Sequence, residues 1–240
     1  MNPFVAIFNT VLYQPLFNAL VLLYYYLPGH DFGVAIIVLT FIVWVIIYPL
    51  NLQSLRSQKA LAEIQPRIKA LQEKHKDDKT KQAQAMMELY KEAKINPFSG
   101  CLPLLIQLPV LLALFRVFWR GFSPERMTYL YSFVPNPGLI SASFLGLVDL
   151  SIPNPILSVL AGIAQFFQTK TSMASQKIEP GKQGDFSTML QKQMLYIFPA
   201  FTVLIVWKLP SALALYWVTS SLFAIAQNYF VFKRKPKPIT

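Results

Sequence analysis

The stretch from Phe32 to Leu50 reads FGVAIIVLTFIVWVIIYPL and contains no charged side chain. A helix of about 20 apolar residues crosses the hydrocarbon core of a bilayer, so this stretch predicts a transmembrane helix. Three other stretches are similarly apolar, and a fourth is shorter and qualifies only with its flanking residues. They are Leu102–Trp119, Leu190–Trp207, Leu209–Phe232 and the shorter Ile156–Gln168. The predicted fold class is therefore an all-α integral membrane protein with five transmembrane helices.

The composition of the chain agrees with a membrane protein and excludes several other classes. Hydrophobic residues make up 54% of its 240 residues and aromatic residues 14%. The sequence contains no glycine-rich phosphate loop, HExxH motif or nucleophile elbow, which argues against an ATP-driven pump and against an enzyme. Cys101 is the single cysteine, and His30 and His75 lie far apart in expected loops. Neither a metal site nor a cofactor is therefore predicted.

The basic residues fall unevenly on the two sides of the predicted spans. Ten lie between Asn51 and Gly100, four between Lys170 and Gln193, and four from Lys233 onward. Only four fall on the other side, at Arg116, Arg120, Arg126 and Lys208. Cytoplasmic loops carry an excess of Lys and Arg, so the basic side is predicted to be cytoplasmic, with the N-terminus outside the cell membrane. This orientation accounts for the net charge of +11 without binding to DNA.

The first 30 residues contain no Lys or Arg, and so lack the charged region of a signal peptide. Phe4–Tyr26 is predicted to be an amphipathic helix in the outer interface, interrupted by Pro15, with Tyr24–Tyr26 near the headgroups. The alternative is a sixth span, which would place an uncharged N-terminus in the cytoplasm, against the charge rule. The polar residues at helical spacing are Asn9, Thr10, Tyr13, Gln14 and Asn18, opposite Phe8, Leu12 and Leu16.

Two apolar seams predict a pair of helices after the first span. The polar stretch Lys74–Lys79 between them suits a turn, so an antiparallel hairpin in the cytoplasm is favoured over a solvated charged linker. Pro66 lacks an N–H and should kink the first arm. The first seam is Leu61, Ile64, Ile68 and Leu71, and the second is Ala83, Met86, Tyr90 and Ala93.

These predictions divide the chain into an ordered series of segments. The bounds are 1–30 for the outer interfacial helix, 31–54 for the first span, 55–100 for the hairpin, 101–120 for the second span, 121–152 for the outer loop, 153–170 for the third span, 171–189 for the cytoplasmic loop, 190–208 for the fourth span, 209–232 for the fifth span and 233–240 for the basic tail. The tail is expected only to anchor the last helix on the cytoplasmic face.

Residues 96–109, NPFSGCLPLLIQLP, resemble the signature that opens the second core span of YidC-type membrane insertases, the YidC/Oxa/Alb family. Further resemblances follow in family order between Asp31 and Phe232. They are Thr40–Val43 with Tyr48–Leu50 in the first core span, Asp149–Ser151 with Pro153–Pro155 before the third, and Pro210–Tyr216 at the start of the fifth. The chain resembles a short form of the family, without a large extracytoplasmic domain before the first span.

The resemblance implies five transmembrane helices, the layout that charge and periodicity predict separately. It also implies a non-enzymatic function, in which hydrophobic segments of nascent membrane proteins are received and released into the bilayer without nucleotide hydrolysis. Nascent membrane proteins and lipids are the expected partners, with the Sec translocon and the ribosome as further candidates. A monomer is the expected functional form.

The resemblance further implies a water-accessible groove between the helices, with an arginine in the first core span. Trp44 occupies the matching position here, and its indole can donate one hydrogen bond but carries no charge. The alternative for the hydroxyls is a bond to their own helix, one turn back. The predicted groove residues are Thr40, Trp44, Gln107, Gln165, Tyr216, Trp217, Ser220 and Ser221.

Two other functions are weighed against insertion. An assembly chaperone, or a specialised paralogue without charge-dependent insertion, is the first alternative, because Trp44 replaces the arginine. A small-molecule transporter is the more distant one, since transporters usually contain internal repeats, broken helices or paired intramembrane charges.

Overall fold

The computed structural model describes residues 3–96, 102–120, 122, 124–173 and 193–233. Residues 97–101 of the quoted signature, most of the predicted loop 171–189 and the basic tail beyond Lys233 lie outside this part. The elements are α1 (Pro3–Phe8), a π-helical segment (Asn9–Tyr13), α2 (Gln14–Tyr26), a 3-10 turn (Pro28–His30), α3 (Phe32–Glu63), α4 (Gln65–Lys74), α5 (Lys79–Glu92), α6 (Leu102–Arg120), a 3-10 segment (Pro124–Tyr129), β1 (Ser143–Phe144), β2 (Val148–Asp149), α7 (Pro155–Met173), a second π-helical segment (Gln193–Ile197), α8 (Phe198–Val206) and α9 (Ser211–Lys233).

The predicted helical class is confirmed, whereas the count of five spans stays a prediction. Among the described residues, two helical stretches are long and apolar enough to cross a membrane by length and composition, Pro3–Tyr26 and Phe32–Glu63. Leu105–Trp119 and Gln193–Val206 are shorter apolar helices. By length and composition, the first predicted span therefore qualifies as a transmembrane helix. The N-terminal helix qualifies as well, and the sequence allowed it to be either an interfacial helix or a sixth span.

Helix α3 begins at a cap and runs past an internal proline. The carboxylate of Asp31 accepts a hydrogen bond from the Val34 backbone N–H at 2.8 Å, as N-cap residues do. Pro49 lies inside the helix without ending it. The break comes at Ile64, and Pro66 lies in the first turn of α4, where a missing N–H costs no helical hydrogen bond.

Helices α4 and α5 pack against each other and are joined by residues 75–78. Asp78 begins α5 by accepting hydrogen bonds from the backbone N–H groups of Thr80 and Lys81, and the Lys81 N–H above all lowers the pKa of Asp78. An ion pair between Arg67 and Glu92, at 3.2 Å, joins the two helices.

The apolar contact between α4 and α5 centres on a residue that the predicted seams omit. Ile68 and Leu89 are both 4% exposed, whereas the predicted seam residue Ala83 is exposed. Met86 and Tyr90 are half-buried. The prediction for Ala83 was therefore wrong, because the periodic pattern allows several faces of α5 and only packing against α4 selects one.

The N-terminal helix turns its polar side chains towards the protein. Asn18 is 2% exposed and donates to the Tyr129 carbonyl at 2.9 Å. Its amide oxygen accepts from the Tyr131 N–H at 2.7 Å, and Gln14 also donates to the Tyr129 carbonyl. Of the polar stripe predicted for an interfacial helix, Gln14 and Asn18 thus bind the connection between α6 and α7, whereas Thr10 is exposed.

Helix α2 lies across the end of the bundle where α3 begins and α6 ends. Its Tyr24 ring contacts Phe32, the first residue of α3, with ring centroids 6.4 Å apart. Its Phe17 stacks on Phe122, which follows α6, at 5.6 Å. Phe17, Leu20 and Val21 are fully buried, so α2 is part of the main hydrophobic core.

A short β-hairpin covers the same end of the bundle, which we call the covered end. Strands β1 and β2 pair antiparallel, and the Asp31 carboxylate accepts a hydrogen bond from the Leu145 N–H. The carbonyls of Leu150 and Ile152 accept from the first N–H groups of α9 at 3.0 Å each. Helices α3, α7 and α9 therefore all begin at the covered end and run parallel, with α9 packed against both of the others.

We predict that Gly33→Ala destabilises the covered end. A β-carbon at Gly33 would overlap the Phe144 ring, so the β-hairpin would have to shift. Alanine would otherwise favour the helix by up to about 1 kcal/mol, so the sign of the effect tests the contact. We expect a net loss of about 1–3 kcal/mol, measured as a lower thermal unfolding midpoint of the purified protein. Adding Phe144→Ala should make the Gly33→Ala step less harmful, and an unchanged effect would contradict the contact.

Candidate functional site

The predicted groove residues come from α3, α6, α7 and α9, and two hydrogen bonds join them across helices. The Gln107 amide of α6 donates to the Tyr216 hydroxyl of α9. The Trp217 indole N–H of α9 donates to the Gln165 amide oxygen of α7. Consecutive residues of α9 therefore bind the helices on either side of it.

These paired groups are largely removed from the surface of the protein. Tyr216 is 2% exposed and Gln165 is 8% exposed, while Gln107 and Trp217 are half-buried. An amide or hydroxyl taken from water into an apolar environment without a partner loses several kcal/mol of hydration, so the pairing allows these groups to be buried here.

The predicted hydroxyls of α3 and α9 behave differently from the amides. Thr40 donates to the Ile36 carbonyl at 2.6 Å, and Ser220 donates to the Trp217 carbonyl at 3.0 Å. Thr219 likewise donates to the Leu215 carbonyl at 2.8 Å. Each of these hydroxyls therefore donates to its own helix, which is the alternative that the sequence analysis left open.

Three buried polar atoms near these residues have no hydrogen-bond partner in the described part of the protein. They are the Trp44 indole N–H, the Ser221 hydroxyl and the nitrogen of the Gln227 side-chain amide. An unpaired buried group costs about 1–3 kcal/mol, and such groups in folded proteins usually have a functional reason or bind water.

Trp44 is the centre of an aromatic cluster between α3 and α9. Its ring lies 5.8 Å from that of Phe223, 5.1 Å from that of Tyr48 and 6.3 Å from that of Phe41. Phe41 also contacts Phe223 at 5.5 Å. The position that the family resemblance assigns to an arginine is thus occupied by a half-buried, uncharged ring surrounded by other rings.

A further polar contact between α7 and α9 lies away from the covered end. The Asn228 amide donates to the Ser172 hydroxyl at 2.8 Å and to the Thr171 hydroxyl at 3.1 Å. The sequence analysis did not select Thr171 or Ser172. Ser172 follows Gln165 by seven residues and so lies on the same face of α7, a spacing that would have found it.

Polar residues of α7 and α9 face each other along an interface that we call the polar seam. On α9 the seam contains Trp217, Ser221 and Asn228, which share one face by their spacing of four and seven residues. On α7 it contains Gln165 and Ser172. It extends for about 16 Å along α9, and none of its residues is charged.

The family model of the 60Kd inner membrane protein matches residues 22–238. A membrane protein insertase YidC from Fusobacterium nucleatum subsp. nucleatum is 35% identical over 204 residues, which cover 85% of this chain and 87% of that protein. The chain belongs to the YidC family. The YidC family is one of membrane insertases and not of enzymes, which confirms the prediction that the chain is not an enzyme.

Other members of the YidC family are similar over most of this chain but are longer. The insertase from Endomicrobium trichonymphae is 33% identical over 89% of this chain, which spans 38% of that protein. The insertase from Francisella tularensis subsp. novicida is 36% identical over 84% of this chain, and the matched part covers 32% of that protein. A crystal structure of an active YidC insertase with its first transmembrane domain resolved matches with a TM-score of 0.59 and 32% identity, over 91% of this chain and 46% of that one.

We predict that breaking the contact between α6 and α9 destabilises the bundle. Tyr216→Phe leaves the Gln107 amide without its acceptor, which should lower the free energy of unfolding by about 1–3 kcal/mol in a detergent titration. Tyr13→Phe is the matched control, because the Tyr13 hydroxyl is equally buried and has no partner in the described residues. We expect the control to change stability by less than about 0.5 kcal/mol.

A double-variant cycle separates the hydrogen bond from the packing of the two side chains. Gln107→Leu with Tyr216→Phe removes donor and acceptor together, so the pair should be less destabilised than the sum of its single variants. Additive losses would show that Gln107 and Tyr216 do not interact.

Proposed function

We propose that this protein receives hydrophobic segments of nascent membrane proteins at the polar groups around α9 and releases them into the bilayer. The similarity to proteins named membrane protein insertase YidC supports this function. The observation that carries it is the set of polar side chains of α9 and of the three helices around it, α3, α6 and α7, some paired and some without a described partner. No nucleotide is required in this proposal, because burial of the client's apolar segment in lipid is itself favourable.

We further propose a membrane arrangement for the helices. The apolar first part of α3, α6, α7, the second π-helical segment with α8, and α9 are the five spans. The basic hairpin of α4 and α5 is cytoplasmic, and the covered end lies outside, as the distribution of Lys and Arg favours. Helices α1 and α2 lie in the outer interface, a position supported by the contact of α2 with the ends of α3 and α6.

The proposed mechanism lowers the cost of moving a client's polar flank part of the way across the membrane. A peptide amide without a partner loses several kcal/mol on entering an apolar medium. The free groups of Trp44, Ser221 and Gln227, together with water admitted from the cytoplasmic side, would replace part of that hydration. The β-hairpin at the covered end limits this path on the outer side.

Water access to the site is the first prediction of this mechanism. In a Cys101→Ser background, Ser220→Cys and Ser221→Cys should react with a charged maleimide from the cytoplasmic side roughly ten times faster than Leu222→Cys, because only a hydrated thiol ionises readily. Leu222 is the matched control, since it directly follows Ser221 and is 55% exposed on the outside of the bundle. If all three variants react equally slowly in proteoliposomes, the wet groove is refuted and the membrane arrangement is unaffected.

The uncharged cluster around Trp44 leads to a prediction about clients. Without a cation at this position, clients with neutral and acidic N-terminal tails should insert within about two-fold of each other in proteoliposomes. Trp44→Arg should favour the acidic client by about five- to ten-fold, since a charge pair near a protein–water boundary contributes on the order of 1 kcal/mol or more. Trp44→Gln is the control, because it adds a polar group without a charge.

The same assay distinguishes insertion from its main alternative. The replacement of a charged groove residue by the aromatic cluster favours, as a second candidate, an assembly chaperone that binds membrane clients without inserting them. Purified protein that binds clients but inserts neither tail would support that candidate. A strong preference of the wild type for acidic tails that Trp44→Ala abolishes would contradict our account of Trp44. Contact with the Sec translocon or the ribosome, and action as a monomer, are further parts of the proposal.

A further inference from the structure

Arg116 is a cation on α6 whose described partners are all neutral. Its guanidinium donates to the Asn9 side-chain oxygen at 2.7 Å and lies 5.3 Å above the Tyr13 ring and 5.8 Å above the Phe8 ring. No described carboxylate lies within ion-pair distance of it. The group offers five N–H donors, of which the described contacts use only a part. Among the described residues, this half-buried cation therefore has no counter-charge.

The residues that hold Arg116 come from an unusual segment of the N-terminal helix. Asn9 and Tyr13 are the two ends of the π-helical segment, a form that is rare and frequently found at functional sites. Tyr13 is 2% exposed, and its hydroxyl has no hydrogen-bond partner among the described residues. The guanidinium of Arg116 and the hydroxyl of Tyr13 thus belong to one cluster, and both have hydrogen-bonding capacity that the described contacts do not use.

The surroundings of Arg116 combine one cation with apolar side chains that reach the surface. Trp119, three residues further along α6, is 57% exposed, and Phe8, whose ring the guanidinium covers, is half-buried. Arg116 lies about 6 Å along the helix axis from the end of α6, near the covered end. An apolar surface beside a cation at that depth is complementary to a molecule with acyl chains and an anionic phosphate.

We propose that Arg116, held in place by Asn9 and Tyr13, binds the phosphate of an anionic phospholipid at the covered end. The lipid's acyl chains lie along the exposed side chain of Trp119 and the half-buried ring of Phe8. This site is independent of client insertion and joins the N-terminal helix to α6 through a shared ligand. The chemistry that it recognises is a lipid phosphodiester whose headgroup carries no cation, so that the negative charge is not neutralised within the lipid.

Native mass spectrometry of the full chain, released from detergent with phosphatidylglycerol or phosphatidylcholine, tests the site. The wild type should retain phosphatidylglycerol in preference to phosphatidylcholine, and Arg116→Gln should bind it about ten-fold more weakly, the effect of losing one charge-assisted contact. Arg126→Gln is the matched control. It removes the same charge near the same end, from an arginine that also lies over an aromatic ring, that of Tyr129.

A second variant tests the site in case Arg116→Gln does not fold. Asn9→Ala keeps the charge of Arg116 and removes only its hydrogen-bond partner, so it should weaken phosphatidylglycerol binding by a smaller factor. Equal binding by Arg116→Gln and wild type, or an equal loss in Arg126→Gln, would overturn the site. Competition by millimolar inorganic phosphate would also overturn the lipid assignment, because it would identify free phosphate as the ligand.

Discussion

Polar side chains inside a membrane bundle must bind one another or meet water, because lipid chains offer no hydrogen bonds. Helix α9 supplies partners to two neighbouring helices, since Tyr216 binds Gln107 of α6 and Trp217 binds Gln165 of α7. The Trp217 bond joins α9 to α7, which runs parallel to it from the covered end, and the Tyr216 bond joins α9 to α6. The placement of this one helix therefore decides which of the described polar groups are paired and which are not.

The two ends of the bundle are built by different means. At the covered end, side chains and backbone groups of distant segments bind one another, as Asn18 does with residues 129 and 131 and Asp31 with Leu145. Away from that end, Asn228 binds the hydroxyls of α7, and the Gln227 amide is buried without a partner in the described residues. The bundle is thus closed by hydrogen bonds between distant segments at the covered end and contains polar groups at the other end. This asymmetry agrees with the proposed groove, which would be open to water on one side of the membrane only.

The aromatic cluster of Trp44 changes what such a path can discriminate. Aromatic rings at 5–6 Å contribute packing and a weak quadrupole, and they exert no long-range attraction on a carboxylate. In the proposed function, a client would be recognised by apolar burial and by hydrogen bonds rather than by the charge of its tail. If the proposed groove exists, variants of Trp44 would separate the contribution of its hydrogen bonds from that of a fixed cation.

The sequence by itself determined the helical membrane class, the apolar stretch of α3, the paired helices α4 and α5 and the polar residues of α7 and α9. These follow from hydrophobicity and helical spacing, which are local properties of the chain. Only the tertiary structure decided that Gln107 binds Tyr216 and that Asn18 of α2 faces the protein. It also decided that Leu89 rather than Ala83 is buried, and that the Phe144 ring packs directly against Gly33. These are contacts between segments that no local pattern relates, and the packing of whole helices selects them from many chemically equivalent pairings.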